Sequence, residues 1–276
     1  MKILILGSSG TIGLSLVKFL KSKNLDVIEY DIKDNILNDL RIENVLENVL
    51  QDIDYVFFLA FDVGGSKYNI DNKEYIDNNL RIIYNTFNSL EKYKIPFLYT
   101  SSQMSNMIDS SYGVLKKLSE FYVNLLNGVN IRLWNIYGIE EINDKSHVIP
   151  DLISKALTNN IIDINSSGLE ERQFIYSEDC AEGFYNIMMN HNIFKNKTID
   201  FSNFQWINIL NIAEIIKTIL LNKYNIDVKI TTNLNGKNNH SIINNPESSI
   251  LENYWKPKIT IEKGIEILID YYIKQN

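Results

Sequence analysis

Lys2-Ile3-Leu4-Ile5-Leu6-Gly7-Ser8-Ser9-Gly10-Thr11-Ile12-Gly13 is the stretch from which the fold is read. An apolar run of strand length ends at a turn whose glycines recur at every third position. Leu14-Ser15-Leu16-Val17-Lys18-Phe19-Leu20 then continues with helical spacing. A glycine turn between a strand and a helix lets backbone amides close on a pyrophosphate, while the helix N-terminus supplies partial positive charge. Gly7 opens such a turn, Gly10 permits the close approach, and Gly13 lets the helix pack tightly on the strand, with Ser9, Thr11 and Ile12 between them.

The next strand, Asp26-Val27-Ile28-Glu29-Tyr30, delivers Asp31 at its end. A carboxylate at that spacing binds the hydroxyls of an adenosine ribose and repels a 2′-phosphate. The pattern predicts NAD(H) in preference to NADP(H), and Lys33 is the neighbouring charge that opposes the preference.

Further along, helical spacing covers 41–51, and Tyr55-Val56-Phe57-Phe58-Leu59-Ala60 reads as a third strand. A helix over 72–93, a strand at Phe97-Leu98-Tyr99-Thr100, a helix over 113–127 and a strand at Asn130-Ile131-Arg132-Leu133-Trp134 follow. Strands alternating with helices of this length imply parallel crossovers, hence an α/β fold built on a doubly wound parallel sheet. After residue 139 the order becomes less regular, punctuated by Pro150, Pro246 and Pro257. The division predicted is a dinucleotide-binding domain over 1–138 and a smaller C-terminal α/β lobe over 139–276, interleaved with the first. Residues 233–249 are polar and read as a loop.

Composition narrows the partners. The chain has 276 residues, 45% of them hydrophobic, and a net charge of −7, so disorder is excluded and a sizeable core can form. The acidic balance, with no basic patch, argues against a nucleic-acid partner. Cys180 is the single cysteine, which rules out a disulfide framework and points to a reducing, cytoplasmic setting. His147, His191 and His240 match no metal-ligand spacing, so no metal is expected. The apolar N-terminal run is too short for a signal or a spanning helix, and no membrane partner is expected. The 37 asparagines are a compositional bias, and isolated Asn clusters receive little functional weight.

With the glycine turn, Asp31 and the downstream Tyr112-Gly113-Val114-Leu115-Lys116 in view, the chain resembles the extended short-chain dehydrogenase/reductases. More narrowly, it is similar to the NAD-dependent epimerase/dehydratase branch that acts on nucleotide sugars, a resemblance covering nearly the whole chain and implying a Rossmann-type fold. Asn38-Asp39-Leu40-Arg41 resembles that branch's D-[LI]-R segment, which implies that Asp39 and Leu40 lie at the adenine. Phe58-Leu59-Ala60-Phe61 stands where the branch has H-x-A-[AG]; the His is replaced by Phe58, so Leu59 and Ala60 carry over at the cofactor. Asn79 matches the Asn that braces the active-site strand.

Thr100-Ser101-Ser102 resembles S-S-[ST], which aligns Ser102 with the catalytic hydroxyl and puts Gln103 beside the substrate. Arg132-Leu133-Trp134-Asn135-Ile136-Tyr137-Gly138 is similar to R-x-x-N-x-Y-G, implying Asn135 at the substrate phosphates. His147-Val148-Ile149-Pro150 resembles the V-I-P segment that wraps the nucleotide. Arg172-Gln173-Phe174-Ile175 is similar to R-D-F-I, implying that Arg172 pairs with the substrate diphosphate. Trp255-Lys256-Pro257 fits the C-terminal W-x-P.

The chemistry follows from Tyr112 and Lys116, four apart and so on one face of a helix. A free phenol with pKa near 10 is a poor base at neutral pH, and a nearby ammonium stabilises the phenolate and lowers that value. The resemblance then implies that Tyr112 takes a proton from a sugar hydroxyl as hydride leaves its carbon, that Ser102 holds the oxygen, and that Lys116 also binds the nicotinamide ribose. Taken alone, Tyr-x-x-x-Lys describes any exposed helix pair; the glycine turn and Ser102 give it weight.

Departures choose among reactions. In the resembled sugar 4,6-dehydratases the two positions after the catalytic hydroxyl are Asp and Glu; here they are Gln103 and Met104, which disfavours dehydration. Met104 also cannot serve as the Cys of the 3,5-epimerase/reductases. What remains is C4 epimerisation through a transient 4-keto sugar, with 4-keto reduction or simple dehydrogenation using the same three residues. A silent NAD(H) sensor typically loses the Tyr or the Lys, and this chain keeps both. Only a short loop separates Ser102 from Tyr112, where relatives carry a longer one. The resemblance also implies a homodimer formed by the helices over 72–93 and 113–127; Leu115, Leu118, Phe121, Tyr122 and Leu125 give the second more apolar surface than one face needs.

Overall fold

The computed structural model describes residues 1–63, 72–143, 146–233 and 250–275. The expected loop over 233–249 lies, beyond Asn233 itself, outside the described residues, as does His240. Strand β1 (Lys2–Leu6) alternates strictly: Ile3 and Ile5 join the core on one side of the sheet, Leu4 and Leu6 the core on the other. Burial on both faces is what a strand in the middle of a parallel sheet requires.

From β1 the chain runs through α1 (Thr11–Ser22), β2 (Asp26–Tyr30), β3 (Tyr55–Phe58), α2 (Lys73–Tyr93), β4 (Phe97–Ser102), α3 (Ser111–Leu125) and β5 (Val129–Leu133). The second half contributes β6 (Asn135–Tyr137), α4 (Val148–Asn159), β7 (Ile161–Ile164), β8 (Glu171–Tyr176), α5 (Ser177–Met189), α6 (His191–Phe194) and β9 (Thr198–Phe201). It ends with β10 (Trp206–Asn208), α7 (Ile209–Tyr224), β11 (Lys229–Thr232) and α8 (Ile261–Gln275).

Six strands form the central sheet in the order β2-β1-β3-β4-β5-β9, every neighbouring pair parallel. Helix α1, through Leu16, Val17 and Leu20, shares one core with Phe184 and Ile187 of α5. Helices α2 and α3 cover the opposite face, with Ile83, Phe87, Leu90, Leu115 and Val123 buried there. A third core lies in the second half, where Ile149, Ile153, Ile212, Ile216, Ile265 and Leu268 join α4, α7 and α8. The small sheets β10-β8-β6 and β11-β7 belong to that half. Two of its elements nevertheless return to the main body: β9 completes the central sheet and α5 packs on α1.

One expected element is absent. Residues 41–51 form turns, with a single 3-10 turn at Leu50–Asp52, where helical spacing predicts a helix. Asn44 sits at φ 59°, a left-handed conformation that an α-helix cannot pass through, while Leu46 and Leu50 keep the burial the spacing indicated. No helix among the described residues is long and apolar enough to cross a membrane.

Candidate active site

The glycine turn is held by backbone contacts that leave no room for side chains. Gly7 adopts φ +92°, and a Cβ there would lie 2.8 Å from the Ala60 amide nitrogen, so Leu59 and Ala60 at the end of β3 close against the turn. A Cβ on Gly13 would lie 2.3 Å from the Gly7 carbonyl oxygen. At Gly10, among the described residues and apart from its chain neighbours and its own helix, such a Cβ meets only the Gly7 oxygen, at 3.6 Å, so this flank of the turn is open.

Helix α1 starts from Gly10 with no side-chain cap and no acid in its first turn, which leaves its amides for an anion. The Asp31 carboxylate lies beside them, accepting the Ser9 amide at 3.1 Å and the Lys33 amide at 2.9 Å. An open turn at a helix N-terminus with a carboxylate at its side fits a dinucleotide. Asp39 is gripped by Arg41 through both of its oxygens, at 2.8 and 2.8 Å, which holds its carboxyl below the usual range. Leu40 is buried next to it. The Thr11 hydroxyl donates to Glu140 at 3.2 Å, and that carboxylate lies 2.6 Å from the His147 ring.

Strand β4 and the start of α3 assemble the second cluster. Ser102 ends β4, and its Oγ accepts the Met104 amide at 3.2 Å, capping the 3-10 turn Gln103–Asn106. Tyr112 and Lys116 project from α3 toward this strand end: Lys116 Nζ donates to the Thr100 carbonyl at 2.8 Å and lies 5.7 Å from the centre of the Tyr112 ring. Asn79 is fully buried; it accepts the Asp62 amide at 2.8 Å and donates to the carbonyls of Asp62 and Tyr75, fixing the chain just after β3.

Electrostatics here differ from the sequence-based expectation. Burial raises the Tyr112 phenol above its ordinary value, and a hydrogen bond with Ser102 opposes it. Burial also brings Lys116 down to about 7, with Glu120 pulling upward. The phenol is therefore not lowered in the folded chain, because loss of water dominates the surroundings of both groups.

Glu120, which from the sequence reads as a residue of packing or solvation, is a buried ion-pair partner. Burial alone would raise its carboxyl, but Arg132, at 2.7 and 2.8 Å, and the Ser101 hydroxyl, at 2.8 Å, hold it at about 2. It ties α3 to β4 through Ser101, the neighbour of Ser102, and to β5 through Arg132. The signal was present, since Glu120 falls four residues after Lys116 on the same helix.

The remaining expected residues lie in the second half of the chain. Asn135 begins β6 and donates through Nδ2 to the Gln173 carbonyl at 3.0 Å, next to Arg172 on β8. Burial lowers the Arg172 guanidinium from its ordinary value. His147 precedes α4, whose first residue is Val148. The structure thus gathers Gly7, Gly10, Gly13, Asp31, Leu59 and Ala60 at one turn and Ser102, Tyr112 and Lys116 at one strand end. Asn135 and Arg172 stand on the adjoining strands β6 and β8. Among the described residues no group of three or more His, Cys, Asp or Glu could hold a metal ion.

The profile of the "NAD dependent epimerase/dehydratase family" matches residues 3–201. A UDP-glucuronic acid decarboxylase of Arabidopsis thaliana is 23% identical over 97% of this chain and 88% of its own length. The dTDP-4-dehydro-6-deoxyglucose reductase of Escherichia coli is 26% identical over 97% of this chain and 96% of its own. Among solved structures, a GDP-6-OMe-4-keto-L-xylo-heptose reductase from C. jejuni superposes with a TM-score of 0.85 at 19% identity, covering 100% of this chain and 98% of that one. The UDP-N-acetylglucosamine 4-epimerase of Methanobrevibacter ruminantium gives 0.82 at 23% identity, over 100% and 99%.

Proposed function

Because this chain belongs to the NAD-dependent epimerase/dehydratase family, we propose that it is a nucleotide-sugar epimerase acting at C4 through a transient 4-keto sugar. The observation that carries the reading is the meeting of Ser102, Tyr112 and Lys116 at the end of β4, with Gln103 and Met104 beside them instead of acids. That set moves a proton on a hydroxyl and has no side chain next to Ser102 that would expel water from the ring.

The glycine turn and Asp31 hold NAD, with Asp39 and Leu40 at the adenine. Bound there, NAD would supply a reversible hydride acceptor for C4. Tyr112 Oη takes the proton of the sugar O4 as the C4–H bond breaks and a C4 carbonyl forms, then gives a proton back when the opposite face is reduced. Ser102 keeps that oxygen in place by hydrogen bonding and opposes the burial that raises the Tyr112 phenol, and Lys116, when protonated, adds its charge beside the phenolate. Asn135, His147, Val148 and Arg172 bind the nucleotide and diphosphate, so residues 1–138 carry the chemistry and 139–276 most of the substrate contacts.

We further propose a cytoplasmic homodimer. Leu80 and Tyr84 of α2 and Val114, Leu118, Phe121 and Leu125 of α3 are exposed, which supports pairing of these helices with a second copy. Sedimentation of Leu118→Glu/Phe121→Glu should give half the wild-type mass with NAD binding kept; an unchanged mass rejects the dimer.

The test of activity is absorbance of reduced nicotinamide while the protein with NAD+ meets a panel of UDP-, GDP-, dTDP- and CDP-sugars, with products identified by NMR. A new stereoisomer without net absorbance change is the expected result. Stoichiometric formation or consumption of reduced cofactor would replace the epimerase by a dehydrogenase or 4-keto-sugar reductase.

A further inference from the structure

Phe61 follows β3 at the carboxyl edge of the sheet, at the position where the H-x-A-[AG] pattern has a small residue. The centre of its ring lies 3.9 Å from Lys116 Nζ, nearer than the rings of Tyr99 at 5.0 Å or Tyr112 at 5.7 Å. The same ring meets Tyr112 edge to face, with centroids 5.6 Å apart at 88°, and Tyr75 of α2 supports it from 6.4 Å. Lys116 is 3% exposed and hydrogen-bonds to the Thr100 carbonyl, so carbonyl and ring face between them fix where its nitrogen sits.

The other groups around that nitrogen do little to keep it charged. From α3 come Tyr112 and Glu120, from β4 Tyr99, from α2 Tyr75 behind Phe61, and from β5 Arg132. Glu120 attracts the lysine, but Arg132 at 2.7 Å and Lys117 at 3.1 Å already neutralise it. Tyr99 and Tyr112 are neutral, their phenols pushed upward by burial. A desolvated ammonium against an aromatic face is worth several-fold more than an exposed one.

We propose that Phe61 is a positioning residue for the Tyr112–Lys116 pair, its ring face holding Lys116 as an ammonium directed at Tyr112 through a cation–π contact. This rests on the reading of Tyr112 as the group that moves the proton. Leucine fills most of the same space without a π face, whereas tyrosine retains the face.

The experiment is carbon-13 NMR of the lysine Cε in labelled full-length protein, with and without NAD, the Lys116 signal assigned by its loss in Lys116→Arg. Phe61→Leu should lower the Lys116 titration midpoint by about one pH unit, and Phe61→Tyr should leave it in place. On whichever panel sugar turns over, Phe61→Leu should lose about tenfold in kcat at unchanged KM, and Phe61→Tyr should restore it. Should Phe61→Leu fail to fold by circular dichroism, Phe61→Met is read in the same way. An unchanged or raised midpoint overturns the assignment, whatever Tyr112→Phe does. A wild-type rate in Tyr112→Phe overturns the catalytic reading, whatever the NMR shows.

Discussion

Replacing Lys116 by methionine should make the protein inactive and more stable, and the gain should shrink as pH rises. The side chain is 3% exposed, and burial brings its ammonium to about 7 from an ordinary 10.5. At neutral pH that difference corresponds to roughly 4 kcal/mol spent on keeping a lysine in the core. Methionine removes the cost but forfeits the hydrogen bond to Thr100 and the ring contact with Phe61, each about 1 kcal/mol. The expected net gain is therefore about 2 kcal/mol.

The sign with pH follows from proton counting. From about pH 7 to 9 the unfolded lysine remains protonated while the folded one gives up its proton, so the unfolded state binds more protons and wild-type stability rises. Across that window the wild type recovers about 2 kcal/mol that the variant does not, so the advantage of methionine fades. Urea denaturation followed by circular dichroism at both pH values measures this, and the lost contacts cancel in the comparison. Equal stability differences at the two pH values would refute the reasoning.

Other substitutions probe the rest of the site. Tyr112→Phe should lower turnover by about 10²- to 10⁴-fold while calorimetry finds nucleotide-sugar binding intact; retained turnover would remove Tyr112 from the chemistry. Gly13→Ala places a methyl 2.3 Å from the Gly7 carbonyl, so NAD binding and the melting temperature should both fall, and normal binding would contradict the close packing of the turn. Asp31→Asn should cost about tenfold in NAD affinity, of the order of one charge-assisted hydrogen bond, and narrow the preference over NADP; equal affinity would show that Asp31 does not face the ribose.

Much of the fold was legible because its signals are local. Each strand of the first half is a short apolar run, and Gly7 and Gly13 of the turn have a steric reason. The helix expected over 41–51 fails for a reason the apolar spacing does not register: Asn44 takes the left-handed conformation. Asn24, Asn127, Asn160, Asn196 and Asn225 do the same, and Asn160 and Asn225 terminate α4 and α7. In a chain with 12 glycines, asparagine takes over the helix-ending role glycine usually fills, so the asparagine bias that looked like background is partly structural. Tyr112 and Lys116 were legible by their spacing, and Ser102 by the resemblance of Thr100-Ser101-Ser102 to S-S-[ST]. The Phe61 ring over Lys116 and the Glu120–Arg132 pair beside Ser101 were not, because both are formed by residues brought together only when the sheet closes.

The position of β9 constrains how the polypeptide acquires its shape. The strand that flanks β5 arrives only at residue 198, after β6, α4, β8 and α5 have been made. A nascent chain released as far as β5 therefore carries an open sheet edge, with the backbone of Val129–Leu133 unpaired on that side and the core residues beneath α5 uncovered. Such an edge is a template for pairing with other chains. On the ribosome the first half would be an aggregation hazard until the second emerges, and a fragment cut at residue 138 should form open-ended aggregates where the whole chain stops at the proposed dimer.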